Sequence, residues 1–180
     1  VQKLSNGEEL SLGANTLRFV YTPFVHWPET MMTYMVEQKI LFPCDGFGGY
    51  GALDGAIFDD TCADRTYYEA EALRYFTNIV APFSKSVLSA IGKFADAPLE
   101  VVAPSHGLVW REDPGRILEL YRTWSEYYHS PAEVGVTALL GTMYRNTERA
   151  LSAALDGIAA EGVPVRVYDV RKTHVSYILP

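Results

Sequence analysis

Three residues of metal-ligand type each follow an extended, largely apolar run. Asp45 closes Lys39-Ile40-Leu41-Phe42-Pro43-Cys44 and enters the glycine-rich loop Gly46-Phe47-Gly48-Gly49. His106 closes Val101-Val102-Ala103-Pro104-Ser105 and is followed by Gly107. His26 follows the stretch Leu17 to Val25 and precedes Trp27-Pro28-Glu29. Each is expected at the end of a β-strand. Strand ends are rigid and open onto loops, so side chains there can converge on one point. Imidazole and carboxylate together suit iron, zinc or manganese. Taken singly, a structural role is the default for each of the three.

A second group of residues suits a different chemistry. The apolar run Val134 to Leu140 leads into Gly141-Thr142-Met143-Tyr144-Arg145-Asn146-Thr147-Glu148. A helix is expected next, with Ala150, Leu151, Ala154, Leu155 and Ile158 inward and Gly162 as its stop, and then a strand over Val163 to Val170. That order is a βαβ unit. Its loop places hydroxyls and backbone N–H groups at a helix N-terminus, where the dipole favours a phosphate. Thr142, Asn146 and Thr147 are the side chains best suited to it. The bland alternative is that Asn146 or Thr147 only caps the helix.

The elements that must hold the first group are β, then α. Thr16 to Val25 carries β-branched and aromatic residues, and Met32–Val36 and Lys39–Phe42 flank Glu37-Gln38 as a hairpin. Arg65 to Ile91 reads as helix, with Tyr68, Ala72, Phe76, Ile79 and Phe83 at three- and four-residue spacing. Pro82 predicts a kink or a break there. Asp113-Pro114 is an N-cap followed by a first-turn proline. The helix it opens carries Ile117, Leu118, Tyr121, Trp124 and Tyr128 on one side. A linker is expected over 129–133.

Composition narrows the function classes. The chain has 180 residues, 48% hydrophobic and 21% charged, enough to bury a core. A net charge of -7 disfavours nonspecific nucleic-acid binding. No run is long and apolar enough for a helical membrane span, and no signal peptide is visible, so a cytoplasmic protein is expected. There are 2 cysteines and no CxxC motif, which excludes a rubredoxin-type iron site within these residues. Cys44 is expected to be a buried small hydrophobe, and Asp59-Asp60 a turn or cap rather than a ligand pair. His129 and His174 are expected at the surface. Trp27 and Tyr50 are expected to pack as aromatics, with a place in a pocket wall as the alternative. The polar turn near residue 5 and the apolar stretch before Pro180 suggest a longer parent on both sides.

Phe24-Val25-His26-Trp27-Pro28-Glu29-Thr30-Met31, Leu41-Phe42-Pro43-Cys44-Asp45-Gly46-Phe47-Gly48 and Pro104-Ser105-His106-Gly107, in that order and before the Thr142 loop, together resemble the flavodiiron proteins, or A-type flavoproteins. The resemblance implies the C-terminal half of a metallo-β-lactamase-like αββα sandwich over 1–130. The first βαβ unit of a flavodoxin-like doubly wound parallel sheet would follow over 134–180. His26 would then ligate one iron, Asp45 would bridge two, and His106 would ligate the other. FMN phosphate would sit on Thr142, Met143, Tyr144, Arg145, Asn146 and Thr147, although Arg145 stands where the flavodoxin turn has glycine. The family's remaining ligands come from a His-x-Glu-x-Asp-His motif, which these residues do not contain.

The implied activity is reduction of O2 to water, of NO to N2O, or both, at a non-haem di-iron centre fed through FMN. The implied donor is rubredoxin or a reduced deazaflavin or flavin cofactor, and the implied assembly a head-to-tail homodimer. Two rivals share parts of this reading: a zinc-dependent hydrolase of the metallo-β-lactamase kind, and a non-catalytic flavin or electron-transfer module. The 180 residues alone are expected to be inactive and prone to aggregate. A cooperative thermal transition would contradict the last expectation.

Overall fold

Alternating burial along short β-rich runs builds the first sheet. The strands are β1 (Glu9–Ser11), β2 (Thr16–Tyr21), β3 (Met31–Met35), β4 (Ile40–Phe42) and β5 (Val101–Val102), hydrogen-bonded in that order. This computed structural model describes residues 3–130 and 133–180. It divides into two units, Val1–His129 and Ser130–Pro180. The division falls within the linker expected over 129–133, of which residues 131 and 132 lie outside the described residues.

In the first unit β1 to β4 pair antiparallel, with Phe19 opposite Thr33 and Thr33 opposite Phe42. The two-residue period sends Met32, Tyr34, Leu41 and Val102 to one buried face. β4 and β5 pair parallel, Leu41 opposite Val102, so a crossover must join them. Helical segments supply it. Asp64 caps α1 (Arg65–Tyr75) by accepting from the Tyr67 N–H at 3.0 Å. A π-helical stretch, Phe76–Val80, and a 3-10 turn, Ala81–Phe83, carry the kink expected at Pro82, and α2 (Ser84–Lys93) follows. α3 (Pro114–Glu126) starts on Asp113, whose carboxylate accepts from the Arg116 N–H. Ile117 and Tyr121 of α3 are fully buried in the same core as Phe76 and Val87.

In the second unit β6 (Val136–Leu140) and β7 (Val165–Asp169) pair parallel, joined by α4 (Asn146–Ala160). Leu151, Leu155 and Ile158 are half-buried, whereas Ala150 and Ala154, expected inward, are exposed. One two-stranded sheet covers only a narrow stripe of a helix.

Several expected bounds are corrected. β2 stops at Tyr21, not Val25, because Pro23 and a positive φ at Phe24 turn the chain. β5 holds two residues in regular register, because Pro104 has no N–H to donate and the bonds beyond it, from Ala103 and Ser105, no longer keep that register. Tyr128 lies beyond the end of α3 and is exposed. Among the described residues no helix is long and apolar enough to cross a membrane.

Candidate metal centre

Parallel pairing of β4 with β5 sets two of the three candidate ligands side by side. The pairing continues past both strands, through Ala103 N–H to Leu41 O and Ser105 N–H to Cys44 O, each 2.8 Å. Asp45 and His106 therefore leave neighbouring strands at their carboxyl ends, the edge where ligands of parallel sheets are usually held. His26 arrives from a different direction. It lies in the bends between β2 and β3, beyond the turn at Thr22. The loop is tied by Phe24 N–H to Trp27 O at 2.7 Å and Val25 N–H to Thr22 O at 3.2 Å. Val25, fully buried, anchors it in the core.

The three side chains meet. His26 Nε2 is 3.4 Å from Asp45 Oδ2, and His106 Nε2 is 3.9 Å from Asp45 Oδ1. Each oxygen of one carboxylate thus faces a different imidazole. His106 Nδ1 lies 3.0 Å from Gly49 O. A carbonyl only accepts, so Nδ1 carries a proton and Nε2 is the nitrogen turned towards Asp45. At 3.9 Å Nε2 makes no hydrogen bond to the carboxylate. A cation between the two would be held by both.

The spacing fits that reading. Two donors each about 2.1 Å from one divalent cation stand roughly 3.0 to 3.6 Å apart over bond angles from 90° to ~120°. The His26–Asp45 separation falls inside this range and the His106–Asp45 separation just above it. Among the described residues no three or more His, Cys, Asp or Glu converge to hold one ion. Here each ion would find one imidazole and one carboxylate oxygen, so further donors must complete either position.

The loop that carries Asp45 is over-determined. Cys44 and Phe47 on either side adopt φ of 56° and 60°, a conformation uncommon for residues with a Cβ and often found at functional sites. Phe47 is held in the core with its ring edge-on to Tyr121 at 5.3 Å. The Tyr121 hydroxyl donates to Gly48 O at 2.7 Å. A Cβ on Gly48 would stand 2.6 Å from His106 Cε1, so only glycine lets this backbone pass under the imidazole. Gly107 has φ of 85°, and a Cβ there would meet Gly49 N at 2.7 Å. Cys44, expected to be buried, is exposed, because its turn directs it out of the core.

Tyr75 is the residue that sequence reasoning passed over. Its ring stands edge-on to His106 at 4.6 Å and to His26 at 6.3 Å. Its hydroxyl is buried and has no hydrogen-bond partner among the described residues. Burial first, then the charge of Asp45, pushes this phenol far above its ordinary range, so it stays protonated as a donor. Tyr50 packs edge-on to Tyr75 at 5.2 Å and under the Arg74 guanidinium at 4.5 Å. Trp27 is mostly exposed and tilts against His26 at 5.5 Å.

The other candidates are structural. Asp59 is buried, and its carboxylate accepts from the backbone N–H groups of Arg111, Glu112 and Asp113 at 2.9 to 3.1 Å. Asp60 pairs with Arg111 at 3.0 Å. His129 and His174 are exposed.

In the second unit Thr142 is buried, while Met143, Tyr144, Asn146 and Thr147 are exposed. Neither Asn146 nor Thr147 caps α4. The N-cap is Arg145, which makes no side-chain cap bond and has φ of 64°. It therefore adopts the left-handed conformation that glycine favours. Its guanidinium pairs with Glu148 at 3.3 Å. The first N–H groups of α4 are left without a side-chain acceptor, which suits a bound phosphate.

Comparison with known proteins follows the same lines. Residues 1–107 match the family model described as ODP family beta lactamase. The chain is 38% identical over 181 residues to an anaerobic nitric oxide reductase flavorubredoxin of Pectobacterium carotovorum, covering 98% of this chain and 35% of that one. It is 35% identical over 167 residues to a nitric oxide reductase of Moorella thermoacetica, covering 92% and 41%. Among solved structures, the rubredoxin oxygen:oxidoreductase of Desulfovibrio gigas superposes with a TM-score of 0.88 at 27% identity, covering 99% of this chain and 44% of that one. The chain thus spans between 35% and 44% of the length of these relatives.

Proposed function

This chain belongs to the ODP beta lactamase family, among the flavodiiron proteins, and from that premise we propose that it contributes three ligands to a di-iron centre. His26 holds one iron, His106 holds the other, and Asp45 bridges them. The observation that carries this is the geometry at Asp45, whose two oxygens face two different imidazoles. A bridging carboxylate does this, and a neutral imidazole cannot.

The full-length protein then reduces NO to N2O, O2 to water, or both, as the names of its relatives suggest. Bound iron would supply the electrons to substrate, and FMN would relay them. The chain's own residues prepare the site. Asp45 offsets part of the cationic charge. Gly49 O fixes the His106 tautomer, and Tyr121 pins the loop below it. Tyr75 walls the centre with an aromatic edge and offers a proton that nothing else accepts.

The 134–180 unit is the start of a flavodoxin-like domain, with FMN phosphate on residues Thr142 to Thr147. Support comes from the uncapped start of α4 and the glycine-like backbone of Arg145. The 1–130 unit is the metallo-β-lactamase-like part. Electrons come from a rubredoxin-type donor or a reduced deazaflavin or flavin, in a head-to-tail homodimer in the cytoplasm.

Metal and flavin analysis of the full-length protein, with and without Asp45→Ala, tests the reading. About two irons and one FMN per chain are expected, with iron falling to near zero in the variant while flavin is retained. Zinc without flavin would replace this proposal by the hydrolase. Unchanged iron in Asp45→Ala would remove the bridge.

A further inference from the structure

The net negative charge of the chain falls wholly in its first unit, yet two lysines of that unit have no carboxylate partner among the described residues. Lys93 Nζ donates to Tyr21 O at 2.5 Å, and Lys85 Nζ stands 4.9 Å over the ring of Tyr128. Both line one cavity of about 170 Å³, together with Ser86, Ser89 and Thr22. Lys85, Ser89 and Lys93 are spaced by four residues along α2 and so share a face of it. Neither serine hydroxyl has a hydrogen bond among the described residues. Thr22 closes the inner end of the cavity and is almost completely buried, its Oγ1 one of three buried side-chain oxygens without a partner among the described residues.

We propose that this cavity is a phosphate-binding subsite, taking a phosphate dianion either free or as the monoester of a nucleotide. Two ammonium groups and the hydroxyls of Ser86 and Ser89 are all donors, and a tetrahedral phosphate offers several acceptors to meet them. The volume holds a phosphate and not a whole nucleotide. A neighbouring cavity of about 220 Å³ shares Lys85 and Ser86 and is walled by Phe24, Phe83 and Tyr128. Phe24 and Phe83 stack at 5.6 Å there, and a base attached to the phosphate has an aromatic wall to lie against. The subsite is formed by residues of the first unit, and the Thr142 loop by residues of the second.

The test is an NMR titration of the full-length protein with inorganic phosphate and, separately, with adenosine monophosphate. Saturable shifts of the Thr22, Ser86 and Ser89 amides are expected, with affinity falling as salt rises. Equal affinity for both probes identifies free phosphate as the ligand, and clearly tighter binding of the monophosphate identifies a nucleotide. Lys93→Gln, at an exposed position, should weaken binding about tenfold or more, as loss of a charge-assisted bond does. Ser89→Ala should weaken it too, while leaving the melting temperature without phosphate unchanged, since Ser89 is exposed. No shift with either probe, shifts confined to residues 142–147, or unaltered affinity in both variants would overturn the proposal.

Discussion

The two units hold their candidate sites in opposite ways. Every buried apolar residue described, except Leu140, lies in the first unit. There the ligand loops are fixed from several sides at once: by parallel pairing at Ser105 and Cys44, by the Tyr121 hydroxyl, and by glycines that nothing larger could replace. In the second unit α4 buries no residue, and Leu139, Val167 and Val175 are exposed. A two-stranded sheet with one helix removes little apolar surface from water. A metal centre needs donors placed to fractions of an ångström, and only the first unit has the core to place them. A loop that offers backbone N–H groups to a phosphate can close around its ligand on binding and tolerates the looser frame.

The comparison breaks most visibly if the first unit loses a member of its frame. Asp59 is the strongest case, because three backbone N–H groups leading into α3 converge on it. Asp59→Ala takes the shared acceptor from those three donors and should cost about 1–3 kcal/mol in the unfolding of the first unit, read by denaturant titration. The second unit should not respond. The same residue gives a pH dependence. Burial raises its carboxyl, but the three N–H groups outweigh burial and hold it below its ordinary value. A depressed folded value means that this stabilisation is complete above the unfolded value of about 3.9 and is lost as pH falls through the lower folded value. The acid limb of the first unit's unfolding should therefore become shallower in Asp59→Asn. An unchanged acid limb would assign that limb to other carboxylates.

Tyr75→Phe sharpens the comparison by separating frame from function. The substitution removes a buried hydroxyl that has no partner among the described residues, so unfolding stability should stay level or rise by up to about 1 kcal/mol. Turnover of NO or O2 by the metal-loaded full-length protein should nevertheless fall, by about ten- to a hundredfold if the hydroxyl supplies a proton or hydrogen bond to the reaction. Stability lost together with metal would make Tyr75 part of the frame only.

How far such roles were legible depends on what fixed each one. His26, Asp45 and His106 stand in local contexts specific enough to read directly. The apolar runs before Asp45 and His106 suggested strands but not which strands pair; β4–β5 pairing brings those two together, and the β2–β3 loop brings in His26. The strand expected to run into His26 was wrong, since Phe24 and Val25 are β-formers by type but lie between Pro23 and Pro28, and Val25 is a core residue without being a strand residue. Cys44 looked buried by residue type and is exposed because a positive φ turns it outward. Tyr75 carried a usable signal: it lies three residues after Ala72 and seven after Tyr68, on the inward face already identified in α1. That Gly49 O would orient His106 carried none, since a backbone carbonyl is the same whatever its residue.

The smallest expected effect lies in the second unit, at Arg145. Its side chain is exposed, so packing does not enter; its cost is conformational. Its φ of 64° suits glycine, and a side chain with a Cβ holds that conformation at a cost of order 1 kcal/mol. Arg145→Gly should recover part of that cost, offset by the greater freedom of glycine in the unfolded chain and by loss of an exposed pair with Glu148 that contributes little. The net change in stability should stay within about 1 kcal/mol. FMN affinity is the more informative readout. If the loop binds phosphate through backbone N–H groups alone, the variant should bind FMN as tightly as before or up to about tenfold more tightly. If the guanidinium leaves Glu148 to meet the phosphate, affinity should fall about tenfold and its dependence on salt should weaken. The first outcome keeps the second unit a backbone site in a loose frame. The second would give it one fixed charged ligand and bring it closer in kind to the first.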